Sequence, residues 1–136
     1  MTGRFPITIY HNPDCGTSRN ALAMIEAAGH SPTVVDYRVR GWTRPLLERL
    51  LDAMGVSPRE LLREKGAPAA ELGLLDEGVS DGAILEAMIA HPILVNRPIV
   101  VTPKGAALCR PSERVLDLIE NAPTEFTKED GEVVRR

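Results

Sequence analysis

Ile7-Thr-Ile-Tyr-His-Asn-Pro-Asp-Cys-Gly-Thr-Ser-Arg-Asn20 is the stretch on which the fold turns. Ile7–Tyr10 alternates and is β-branched, the signature of a short strand. Asn12-Pro13-Asp14 breaks it as a turn. Thr17 and Ser18 are candidate N-caps for a helix whose apolar positions are Ala21, Leu22, Ile25 and Ala28. Cys15 and Gly16 therefore fall between the C-terminal end of a strand and the N-terminus of a helix. The unpaired N–H groups of a first helical turn and the helix dipole favour a thiolate there, and they favour an anion. Gly29 reads as the helix stop, and Thr33-Val-Val-Asp-Tyr37 as the next strand. Strand, helix and strand in this span predict a parallel βαβ unit with a right-handed crossover.

The remainder of the chain splits into a helical stretch and a return to strands. Thr43 caps a predicted helix to Met54, with Leu46, Leu47, Leu50 and Leu51 on one face and Gly55 as its stop. Ser57-Pro-Arg-Glu60 is a capping box with Pro in the first turn, opening a helix that carries Leu61, Leu62 and Arg63. Residues 67–79 read as loop or short turns. Ser80 and Asp81 start a helix that ends before His91-Pro92. Pro98–Thr102 and Ala106–Arg110 flank the turn Pro103-Lys-Gly105 and read as an antiparallel hairpin. Ser112 caps a predicted helix to about Asn121, and a polar tail, 123–136, is expected to be loosely ordered. The order βαβ, helices, ββα describes an α/β, thioredoxin-like mixed sheet. A single domain, 1–136, is expected, with an all-helical insertion at about 43–91 between its halves.

Composition bounds the function. The 136 residues suffice for one domain with a real core. A net charge of −3 speaks against nucleic-acid or membrane-surface binding, which need basic faces. No apolar run approaches the ~20 residues that span a bilayer. The start of the chain has no apolar signal-peptide core, and two widely separated cysteines make no disulfide framework, so a cytoplasmic location is expected.

Several side chains could carry chemistry. Cys15 has polar, turn-forming neighbours, which favours a reactive thiol over a buried structural one. Ser18 stands where a Cys-x-x-Cys oxidoreductase has its second thiol, so local disulfide cycling is not available. Cys109, in Ala-Ala-Leu-Cys-Arg, reads as core. His11 is either a strand-end histidine bonded to backbone or an imidazolium near enough to lower the Cys15 pKa. In the predicted hairpin, Arg97 and Arg110 fall side by side at one sheet edge. Two adjacent guanidiniums repel unless an anion lies between them, which points to an oxyanion site; paired surface charges are the alternative. Nothing local separates Arg63 from Arg59. The histidines and cysteines show no metal-ligand spacing, so no metal is predicted.

His-Asn-Pro-x-Cys-Gly-Thr-Ser-Arg-Asn at 11–20, Leu-Leu-Arg at 61–63, the run His91 to Pro103, Leu-Cys-Arg-Pro-Ser-Glu at 108–113 and Phe-Thr-Lys-Glu-Asp-Gly at 126–131 resemble the glutaredoxin-coupled arsenate reductases. The resemblance covers essentially the whole chain. It implies a thioredoxin-like fold, with Cys15 as nucleophile and His11 beside it. It implies that Arg63, Arg97 and Arg110 hold the oxyanion, with Gly16, Thr17, Ser18 and Pro98 as supporting residues. It also implies a cis bond at Arg97-Pro98. The activity implied is reduction of arsenate to arsenite through a Cys15–arsenic adduct. Glutathione would be co-substrate, glutaredoxin the partner, and no cofactor would be bound. Two other classes share the fold: the Spx transcription regulators, which typically carry Cys-x-x-Cys, and related thiol proteins without arsenate activity. Ser18 and the full set of arginines favour the enzyme.

Overall fold

The computed structural model describes residues 5–135. They form two compact units, one from the chain up to Asp36 and from Arg97 onward, the other Tyr37–Asn96.

The first unit is built on a four-stranded mixed sheet of order β2-β1-β3-β4. Its strands are β1 (Thr8–His11), β2 (Thr33–Asp36), β3 (Ile99–Thr102) and β4 (Gly105–Leu108). β1 runs parallel to β2 and antiparallel to β3, and β3–β4 is the expected antiparallel hairpin. Helix α1 (Gly16–Ala27) connects the parallel pair. Ile9, Ala21, Met24, Ile25 and Val100 are fully buried and join β1, α1 and β3 in one apolar cluster. Burying each large aliphatic side chain contributes about 1.5–3 kcal/mol, so this cluster fixes α1, and with it the end that carries Cys15, against the sheet.

Two expectations for this unit are corrected. The segment after Pro111 is a 3₁₀ helix, Ser112–Asp117, and not an α-helix to Asn121; Ser112 lies inside it and Pro111 precedes it. Val115 and Leu116 on this helix, and Leu118 and Ile119 just after it, are all buried in the same cluster. Thr102 Oγ1 then donates to the Leu118 carbonyl at 2.6 Å as the segment ends. The polar tail, expected to be loose, forms a hairpin of β5 (Glu125–Thr127) and β6 (Val133–Arg135). Phe126 and Val134 are cross-strand partners, and both pack on the apolar cluster. Asp130-Gly131 makes the turn: Gly131 has φ +94°, and its N–H donates to the Lys128 carbonyl at 2.9 Å.

The second unit is helical. α2 is Tyr37–Arg40, α3 Arg44–Met54, α4 Pro58–Leu61 and α5 Asp81–Ala90. Thr43, Ser57 and Ser80 cap α3, α4 and α5 through their hydroxyls, as their sequence positions predict, and Ser57 and Glu60 complete the capping box. Tyr37, expected to end a strand, begins a helical turn instead. It is fully buried and stacks on Trp42 with ring centroids 5.2 Å apart. Helix α4 is also shorter than predicted, ending at Leu61 before Arg63. Leu62 turns extended and bridges Val95 antiparallel. The Arg63 N–H donates to the Leu94 carbonyl at 2.7 Å, and the Asn96 N–H to that of Leu61 at 2.9 Å.

Candidate active site

Cys15 is the N-cap of α1, with extended backbone and no side-chain cap. The loop before it is internally bonded. The Cys15 N–H donates to the Asn12 carbonyl at 3.0 Å, and the Asp14 N–H to Asn12 Oδ1 at 2.9 Å, a small polar turn of the kind asparagine favours. The expectation that Thr17 or Ser18 caps the helix is therefore corrected: both lie within its first turn. Ser18 Oγ instead accepts from the Asn12 N–H at 3.1 Å and stands 2.6 Å from His11 Nδ1. His11, Asn12 and Ser18 are buried, so this contact locks the end of β1 to the start of α1.

The β3–β4 hairpin brings Arg97 and Arg110 together as the sequence predicts. The Cys109 N–H donates to the Pro98 carbonyl at 2.9 Å, continuing the ladder by one pair, and Arg110 Nη1 donates to the Arg97 carbonyl at 3.0 Å. Arg97-Pro98 is cis, in agreement with the resemblance, and so is Arg110-Pro111. Arg97 is buried, and Arg110 Nη1 lies 3.7 Å from Cys15 Sγ.

Electrostatics on the two cysteines run in opposite directions. Partial burial pushes the Cys15 thiol up, but the Ser18 N–H and the Arg97 and Arg110 guanidiniums outweigh it, leaving Cys15 below the ordinary thiol range. Burial pushes Cys109 up to about 12, so it is an inert core residue. Residues 10–118 match the ArsC family.

The chain belongs to the ArsC family. Its relatives include an arsenate reductase of Synechocystis sp., 60% identical over 94% of this chain and 92% of that protein. An arsenate reductase of Escherichia coli strain K12 is 52% identical with the same coverage. The solved arsenate reductase from Vibrio cholerae superposes with a TM-score of 0.81 at 38% identity, covering 86% of this chain and all of that one. In this ArsC chain the mixed sheet is thioredoxin-like, and the thiol sits at the strand-to-helix junction.

Arg63 belongs to the helical unit. Its Nε donates to the Lys65 carbonyl at 2.7 Å and its Nη1 to Asn96 Oδ1 at 3.4 Å. With Glu60, Leu62, Glu64, Lys65 and Asn96 it lines an open cavity of about 340 Å³. Arg59 differs from it: its guanidinium donates to the carbonyls of Leu74, Asp76 and Val79, bracing the 67–79 loop. That distinction is invisible in the sequence, because it depends on where the loop returns.

Sequence reasoning missed Asn12, Arg19 and the tail residues Lys128 and Glu129. The missed signal for the tail was Asp130-Gly131 beside β-branched residues, a strong hairpin cue.

Proposed function

We propose that this ArsC protein reduces arsenate to arsenite, with Cys15 as nucleophile and with glutathione and glutaredoxin supplying the electrons. Relatives that carry the name arsenate reductase match 94% of the chain at 52–60% identity. The observation that carries the reading is the Cys15 thiol at the first turn of α1, met by the Ser18 N–H and the Arg97 and Arg110 side chains. A low-pKa thiol facing fixed cations suits attack on a tetrahedral oxyanion.

The Cys15 thiolate bonds to arsenic(V), and one oxygen leaves as water after protonation. One external thiol then bonds to arsenic as a second oxygen leaves as water. The second external thiol attacks the sulfur of the first, forming the disulfide, and the sulfur–arsenic electron pair stays on arsenic, which falls to the trivalent state. Water finally displaces Cys15 from arsenic, releasing arsenite and the free thiol. Arsenate plus two thiols gives arsenite, one disulfide and water. Preorganised guanidiniums favour the charged transition state, each such donor typically contributing about 3 kcal/mol. Arg63 enters as a third oxyanion arginine from the family resemblance.

External thiols are needed because Ser18 fills the second position of the motif and Cys109 is buried. Such reductants belong to a reducing compartment, which supports a cytoplasmic setting. Arsenite formation should require glutathione together with glutaredoxin. Robust turnover on thioredoxin alone would assign a different reductant.

A further inference from the structure

The β5–β6 turn reaches both loops that carry the chemistry. Glu129 is bound through its backbone and its side chain. Its N–H donates to Asn20 Oδ1 at 3.0 Å. Its carboxylate receives Arg19 in bidentate fashion, Nη2 at 2.7 Å and Nε at 3.1 Å. The remaining Arg19 nitrogen, Nη1, donates to the Pro13 carbonyl at 2.8 Å, two residues before Cys15. The preceding residue, Lys128, has a side chain only 9% exposed. Its Nζ lies 2.8 Å from Glu113 Oε1 and 3.0 Å from Glu132 Oε1. Glu113 follows Arg110 by three residues. One dipeptide thus joins the Cys15 loop to the segment after Arg110, and Phe126 and Val134 seat the hairpin on the core.

We propose that this hairpin turn is a strap holding the Cys15 loop and the Arg110 loop in register, with Glu129, acting through Arg19, and Lys128 as positioning residues for the anion reaction. The inference rests on the oxyanion-site reading above. Two observations argue against a mere surface ion pair, which would contribute little. The Arg19 fork is planar and bidentate, and its third contact is a backbone carbonyl of the thiol loop, so the pair transmits geometry. A carboxylate here is also electrostatically adverse to an anion. A Cβ on Gly16 would stand 3.1 Å from Glu129 Oε1, which puts negative charge at the helix end that the oxyanion needs.

The two roles give effects of opposite sign. The test uses Glu129→Gln and Glu129→Asp in a Cys109→Ala background. It reads the arsenate concentration that half-protects Cys15 from iodoacetamide, and hydrogen exchange of residues 12–20. A strap predicts faster exchange there in both variants. It also predicts at least about tenfold weaker arsenate protection, equivalent to ~1.4 kcal/mol of lost binding. Arg19→Ala should add little to Glu129→Gln, since both break one unit. Tighter arsenate protection in Glu129→Gln, with Glu129→Asp unchanged, would make Glu129 a simple charge and overturn the strap; so would unchanged exchange in both variants. Failure of arsenate to protect the unmutated site would instead sink the oxyanion reading, while the exchange data still judge the strap.

Discussion

Arg110 Nη1 lies 3.7 Å from Cys15 Sγ while the same nitrogen holds the Arg97 carbonyl at 3.0 Å. Residues 95 positions apart in sequence are thus set by one hydrogen bond within the β3–β4 hairpin end. The guanidinium cannot drift from the thiol without breaking that bond, so its charge is fixed before substrate arrives. Preorganisation of this kind separates catalytic electrostatics from a mobile surface charge.

Alkylation of Cys15 should therefore follow a titration below the ordinary thiol range. The folded-state pKa is lowered, so the thiolate persists to lower pH than that of an ordinary thiol and is lost as pH falls through the lowered value. Arg97→Ala and Arg110→Ala each remove a lowering influence and should move the rate–pH profile upward. Superimposable profiles for all three proteins would remove the arginines from thiol activation.

Loss of the Arg110 side chain should cost catalysis more than stability. Arg110→Ala should lower kcat by about 10²–10³, the usual loss for a single transition-state donor. Arg110→Lys should recover part of the charge but not the rigid guanidinium that holds Nη1 against both Cys15 Sγ and the Arg97 carbonyl. Steady-state kinetics with a parallel thermal melt distinguishes this from misfolding.

Arg59 and Arg63 should separate cleanly. Arg59→Ala frees three carbonyls of the 67–79 loop and should cost on the order of 1–2 kcal/mol in denaturant unfolding, with arsenate KM little changed. Arg63→Ala should raise the arsenate KM with little loss of stability. An unfolding penalty for Arg63→Ala as large as that for Arg59→Ala would mark Arg63 as structural.

The junction depends on α1 being held to the sheet. Ile25 is fully buried in the cluster that joins α1 to β1 and β3. Ile25→Ala should destabilise the protein by roughly 2–5 kcal/mol, read by denaturant unfolding. Ile25→Val should cost much less.

Local rules made much of this structure legible in the sequence. Strand alternation and β-branching gave β1 to β3, and hydroxyl caps gave the starts of α3, α4 and α5. Pro103-Lys104-Gly105 gave the hairpin that joins Arg97 to Arg110. The misreadings arose where tertiary contacts overrode local preference. Thr17 and Ser18 look like caps, but Ser18 is taken by His11 and Asn12, so Cys15 becomes the cap. The segment after Pro111 winds as a 3₁₀ helix, with Val115 and Leu116 buried in the core. The charged tail looked loose because its anchors, Arg19, Asn20 and Glu113, lie far away in sequence. The oxyanion's identity was not in the residues themselves; it came from the family resemblance.

The central claim is that Cys15 is the thiol through which arsenate is reduced. Its most direct measurement is arsenite formation from arsenate with glutathione and glutaredoxin present, comparing the unmutated protein with Cys15→Ser and Cys109→Ala. Activity abolished in Cys15→Ser and largely kept in Cys109→Ala is the predicted result. Full activity in Cys15→Ser would contradict it.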